Sequence, residues 1–277
     1  MFSFMARQAV EDMMRLVMVS TSTPAGADDG SLVLRRRYLS YVQTRHGYEF
    51  PIDRTGVQPY VEWKYAEPSW QRTVAYLTEV DDFGQLRGIN EQEGRHVAFE
   101  MDRGLELLRS YDSNQTDSVT SLIGCVFVAH VKGLQSASSG RCLGAFALNP
   151  KSSWSSLDYA SSLLHEAVHQ ALFLSHIAYR LYSRAIPKLA EDNALVMSPI
   201  RHVRRPFDAA LHAACVLVEL LHLYRWADQP IPPDDGSLEL LNVCVDELHA
   251  RRDNLTEQGQ KVLRELRAHF KAFLVAT

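Results

Sequence analysis

The chain has 277 residues, 46% of them hydrophobic, with 29 basic and 33 acidic side chains for a formal net charge of -4. That is enough apolar material for a sizeable core, and the charge balance supplies no bulk attraction to nucleic acid or to a membrane surface. Four cysteines (Cys125, Cys142, Cys215 and Cys244) stand far apart with no C-x-x-C pair, which favours buried free thiols in a reducing, cytoplasmic setting over a disulfide framework.

The start of the chain, Met1 to Arg7, lacks a basic region followed by a long apolar core. Glu11 and Asp12 break a signal-peptide pattern, and no run of 18 apolar residues predicts a membrane span. Ala9, Met13, Leu16 and Val17 predict an amphipathic helix over Ala6 to Val19. The Ser/Thr/Gly/Asp-rich stretch from Ser20 to Gly30 reads as a loop. Leu32 to Thr44 reads as a second helix, whose arginines Arg35, Arg36 and Arg37 are expected on a solvated face. Tyr48 to Ser69 is aromatic and broken by prolines, so irregular or short extended structure is expected there, covering a core edge. Short and long helices are expected over Arg72 to Val80 and Gly94 to Tyr111. Ser121 to Val131 and Leu143 to Leu148 read as buried strands, adjacent or in a hairpin, with a Ser/Gly loop over Gly133 to Gly140.

Leu163-Leu164-His165-Glu166-Ala167-Val168-His169-Gln170-Ala171 then places H-E-x-x-H inside a predicted helix. Leu157, Leu164, Val168, Ala171 and Leu172 recur at helical spacing, and no Gly or Pro interrupts Ser155 to His176. Two histidines four apart lie on one face, one turn apart, so both rings can reach one metal ion. Glu166 flanks that face and can hold a proton or a water. Ser152 to Ser156 offer helix caps, and Pro187 is expected to end the helical region. Pro206 suits the first turn of a strong helix over Phe207 to Trp226. A last helix is expected over Ser237 to Phe270, broken near Gly259.

Two histidines are an incomplete catalytic ligand set. On the Phe207–Trp226 helix, Asp208, His212, Cys215, Glu219 and His222 fall on one stripe. Polar residues there need partners, and a metal is one. Glu219 as third ligand, with His222 beside it, gives the two-His, one-Glu set of zinc peptidases, with Glu166 as general base. His212 as third ligand gives a three-histidine site for zinc or iron.

The run Gly144-Ala145-Phe146-Ala147-Leu148, the H-E-x-x-H helix, and the following Arg205-Pro206-Phe207 and Leu211-His212-Ala213-Ala214 are similar to the H-E-x-x-H proteins encoded beside ribosomally made peptide precursors. The resemblance covers about Val119 to Trp226. Members of that family are taken to be iron- and 2-oxoglutarate-dependent peptide β-hydroxylases. The resemblance implies that His165, His169 and His212 bind Fe(II), with Glu166 beside the metal or as an added ligand. It also implies an arginine for the distal carboxylate of 2-oxoglutarate, since a guanidinium matches a carboxylate in a bidentate fork. Arg205, seven residues before His212, is one candidate and Arg141, before the second strand, is the other. Most 2-oxoglutarate oxygenases set H-x-D…H on a β-barrel, and this chain departs from that pattern.

The expected fold is α+β, mainly helical, with a small sheet packed beside the metal-binding helix. The expected organisation is one catalytic domain over residues 1–277, with a variable helical part at 1–115 that contacts substrate and a metal-site core at 116–277. The expected activity is hydroxylation of a side-chain β-carbon in a precursor peptide. A zinc peptidase trimming such a peptide and a non-catalytic peptide-binding protein are the alternatives, and neither nucleic acid nor membrane is an expected partner.

Overall fold

A computed structural model describes residues 1–19, 30–52, 58–63, 73–77, 88–131, 133–230 and 236–275. Residues 20–29 of the predicted loop, parts of the aromatic 48–69 stretch, and the ends of the predicted 72–80 helix lie outside the described residues. The fold is mainly α-helical with a small mixed sheet, as the sequence predicts. Two compact units divide the chain, one of residues 6–174 and one of residues 1–5 with 175–277.

The first unit begins with α1 (Arg7–Val19) and α2 (Ser31–His46). β1 (Tyr60–Glu62) follows, and then α3 (Glu91–Tyr111) and α4 (Ser113–Leu122). Asn90 and Glu93 form a reciprocal capping box at the start of α3. β2 (Cys125–Val128), β3 (Ser136–Ser139) and β4 (Cys142–Leu148) complete a sheet of order β1-β2-β4-β3. β1, β2 and β4 are parallel, and every residue of β2 and β4 is buried. Continuous apolar runs of this kind are what a parallel strand covered on both faces requires.

Several expectations change here. Ser121 to Val131 is not one strand, because Ser121 and Leu122 close α4. The Asp112 side chain accepts the Gln115 N–H at 3.1 Å, and Thr116 and Ser118 bond back to their own helix, which hides their polarity. The Ser/Gly stretch before Arg141 contains β3, which pairs antiparallel with β4. β2 and β4 are adjacent but parallel, so the hairpin is β3–β4. Arg35 is also not solvated: it is 2% exposed and donates to the carbonyls of Thr120, Gln58 and Ile123.

α5 (Ser156–Tyr179) is the H-E-x-x-H helix. Ser155 and Asp158 cap it reciprocally. It ends at Tyr179, with Arg180 in the left-handed region (φ 54°), well before Pro187.

In the second unit, β5 (Val196–Met197) and β6 (Arg204–Arg205) form a small antiparallel pair. α6 (Phe207–Trp226), α7 (Ser237–Ala250) and α8 (Glu257–Val275) are its main helices. The predicted last helix is thus two, separated at 251–256, and Gly259 lies inside α8. A Cβ there would run into the Leu181 carbonyl, so close packing of α8 against that backbone needs the glycine. α6 is long and apolar enough to cross a membrane by composition, but 78% of its most apolar 18-residue window is buried within the protein, as in a core helix.

Candidate metal centre

One turn of α5 brings His165, Glu166 and His169 together. The two imidazoles are tilted by 57° with centroids 5.0 Å apart, and both are half-buried. Glu166 is 1% exposed, and His165 Nε2 lies 3.8 Å from its Oε1. Gln170, the next residue after the motif, fixes this turn against the sheet. Its Oε1 accepts the Gly144 N–H at 3.0 Å, and its Nε2 donates to the Ala145 carbonyl at 3.2 Å. The sequence signal for that role was a polar side chain inside an apolar helix run.

β3 supplies a residue that the sequence reading missed. The Ser136 hydroxyl donates to Glu166 Oε1, which sets the plane of the carboxylate. Among the described residues, none gives buried Glu166 Oε2 a hydrogen bond. A buried carboxylate oxygen left in that state costs the fold free energy unless a cation or donor meets it. Two imidazoles with one carboxylate are donors that suit Fe(II) or Zn(II). The residues of this turn therefore fit such an ion. Among the described residues, no three His, Cys, Asp or Glu side chains are already drawn together as a metal cage.

Arg141 belongs to the same unit, in the β3–β4 turn. Next to it, a Cβ on Gly140 would stand 3.0 Å from the Phe173 ring, and Phe173 stacks on His169 at 6.2 Å. Arg141 is therefore on the turn that borders the histidine face. Its side chain is exposed.

The other candidates belong to the second unit. His212 is 6% exposed, and burial pushes its imidazole down to about 3, helped by the charge of His176. At neutral pH it is an uncharged ring, the form that binds metals. Arg205 is half-buried and lies near Asp208, whose carboxyl it helps to ionise. The charge of His176 acts on both Asp208 and His212, and its Nδ1 accepts the Leu181 N–H at 3.2 Å. Glu219 is 1% exposed, accepts the Phe2 N–H at 3.0 Å, and lies 3.9 Å from the amino terminus. His222 Nε2–H donates to the His269 carbonyl at 3.3 Å. The alternative ligands Glu219 and His222 thus each hold a partner within their own unit.

Burial works against the charge of Asp208. Burial raises its carboxyl above the usual range, an effect only partly offset by the N–H groups of Ala209 and Asp208 and by the charges of Arg205 and His176. A raised folded value makes the ionised form a stability penalty above that value, and the penalty disappears below the unfolded value. Asp208→Asn is therefore expected to be more stable than the parent at neutral pH. Thermal melts should show that advantage shrinking as the pH falls toward ~4. An advantage independent of pH would mean that burial of the charge is not its source.

No protein-family model matches this chain, and none of the curated proteins is similar enough to count as a relative.

Proposed function

We propose that this protein is an Fe(II)- and 2-oxoglutarate-dependent oxygenase that hydroxylates a side-chain β-carbon of a peptide. The observation that carries the reading is the half-buried His165–His169 pair beside a buried Glu166 with one unpartnered oxygen. The resemblance to peptide β-hydroxylases selects the oxygenase among the reactions such a pair can serve. On this reading His165 and His169 hold the iron, and His212 is the third imidazole implied by the resemblance. When bound, the iron and its co-substrate supply the oxidising chemistry, which is theirs and not the protein's. The chain's own work is narrower. Ser136 holds Glu166 in one orientation, Gln170 holds the motif turn on the sheet, and Arg141 or Arg205 pairs with the distal carboxylate of 2-oxoglutarate. Four buried, unpaired cysteines suit a cytoplasmic site of action.

One observation favours a second reading. A buried carboxylate with a free oxygen beside two histidines is also what a zinc peptidase uses as its general base.

The two readings separate in one titration. Metal-free protein receives Fe(II) and then 2-oxoglutarate without oxygen, while visible absorption is followed. The oxygenase predicts a weak band near ~500 nm, a property of the iron–co-substrate pair. In that case Glu166→Gln should still give the band. Tightly retained zinc, no band, and peptide cleavage abolished by Glu166→Gln would establish the peptidase instead.

A further inference from the structure

Among the described residues, β3 is the last strand of the sheet and has β4 as its one neighbour. The register shows which of its backbone groups point away from β4. Asn149 N–H donates to the Gln135 carbonyl at 2.8 Å, so these two residues form a hydrogen-bonded pair. Ser136 stands opposite Leu148, and the Leu148 carbonyl accepts the Ala129 N–H on the β2 side at 2.9 Å. Ser136 and Leu148 are therefore a non-hydrogen-bonded pair, and the Ser136 N–H and C=O project from the sheet's edge. Among the described residues, no turn, loop or cap hydrogen bond of the backbone reaches either group.

Open edges are usually guarded by Lys, Pro or inward-pointing charge. Ser136-Ala137-Ser138-Ser139 has none of these, and a bulge between Ala137 and Ser139 limits the straight ladder to its first residues. Small residues on an edge are not a binding site by themselves. The pointer to a ligand is what lies against them. Ser136 carries the outward backbone groups and also bonds Glu166, whose Oε2 is buried and unpartnered. The Ser138 hydroxyl is likewise buried without a partner among the described residues. At its far end the β3–β4 turn meets Phe173, which stacks on His169.

We propose that β3 is the docking strand for the peptide. An extended segment adds to its outer edge, pairing first with the N–H and C=O of Ser136. Recognition is then read mainly from the peptide backbone, with alternate side chains turned toward the histidine face. The inference rests on the reading that the substrate is a peptide, and it holds for iron or zinc alike.

The test uses the full chain and a random dodecapeptide phage library. The tightest selected peptide is synthesised and bound. Amide exchange at Ser136 should slow by about tenfold or more, as expected for a newly buried hydrogen bond. Methylating the peptide's amides one at a time should weaken binding at alternate positions, with period two. Ser136→Ala and Ser136→Pro both remove the hydroxyl, but only Pro removes the outward N–H, which β4 does not use. Ser136→Pro should bind about tenfold more weakly than Ser136→Ala. The methylation scan leaves the protein untouched, so it decides the matter even if Ser136→Pro folds poorly. No selected peptide, no protection at Ser136, or no alternation would each overturn the proposal. Protection at Ser136 with a peptide that is neither oxidised nor cut supports the docking strand and counts against the proposed activity. An oxidised peptide without that protection does the reverse.

Discussion

His169→Ala is expected to abolish the ~500 nm band of the iron–2-oxoglutarate complex and, with it, all turnover. The loss in metal affinity should exceed the roughly 10- to 100-fold that removal of a group outside the ligand set costs. His165→Ala should behave in the same way, because one helical turn presents both rings to the same point and neither is replaceable by the other. Both side chains are half-buried on a helix, and Ala is the best helix former, so the fold should survive. Melting within about 1 kcal/mol of the parent would confirm that metal, not structure, was lost. Metal analysis after gel filtration, paired with that melt, is the measurement. Iron retained at full stoichiometry in either variant would remove the H-E-x-x-H helix from the metal centre. His212→Ala belongs in the same assay, and a folded His212→Ala protein that keeps its iron would strike His212 from the ligands. His212 is buried, so its melt must be read beside its metal content.

The H-E-x-x-H turn was legible in the sequence because everything it needs is local. Spacing of four on a 3.6-residue helix brings two rings together whatever surrounds them. The partners of that turn were not legible, because they come from elsewhere in the chain. Ser136 lies in a Ser/Gly run that reads as a loop, and only pairing with β4 makes it a strand beside Glu166. Gln170 was visible as a polar break in an apolar run, but its partners, the Gly144 N–H and the Ala145 carbonyl, are set by the sheet. The stripe on α6 was read correctly as buried polar residues needing partners. What each one meets was beyond periodicity. Glu219 meets the backbone of Phe2, and Asp208 takes backbone N–H bonds from Ala209 and its own residue, with the charges of Arg205 and His176 acting on it. The helix over 113–122 was hidden because Ser and Thr, poor helix formers by propensity, satisfy their hydroxyls on the helix's own carbonyls.

Arg35→Met is expected to destabilise the protein by about 3–5 kcal/mol, the largest loss foreseen for a substitution away from the metal turn. The triple arginine Arg35-Arg36-Arg37 looks like a charged surface by composition, yet its first member is 2% exposed. Position decides this. Leu34, Tyr38, Leu39 and Val42 are the buried residues of α2, and Arg35 lies on the same side of the helix. A guanidinium there would be ruinous without partners, and it has them. Its Nε donates to the Thr120 carbonyl at 2.5 Å, and its Nη2 donates to the carbonyls of Ile123 at 2.9 Å and Gln58 at 3.2 Å. Thr120 and Ile123 are at the C-terminal end of α4, where the last carbonyls have no partner in their own helix and the helix dipole favours a cation. Gln58 leads into β1, which pairs with β2 just beyond Ile123. One side chain thus ties α2 to the end of α4 and to the edge of the sheet that supports the H-E-x-x-H helix. Methionine fills similar volume but donates nothing, so three carbonyls lose a charge-assisted bond together. Lysine keeps the charge but offers a compact ammonium in place of the planar fork, so Arg35→Lys should recover only part of the stability. Denaturant unfolding of the three proteins gives the comparison directly. A midpoint for Arg35→Met equal to the parent's would mean that these carbonyls are satisfied without Arg35.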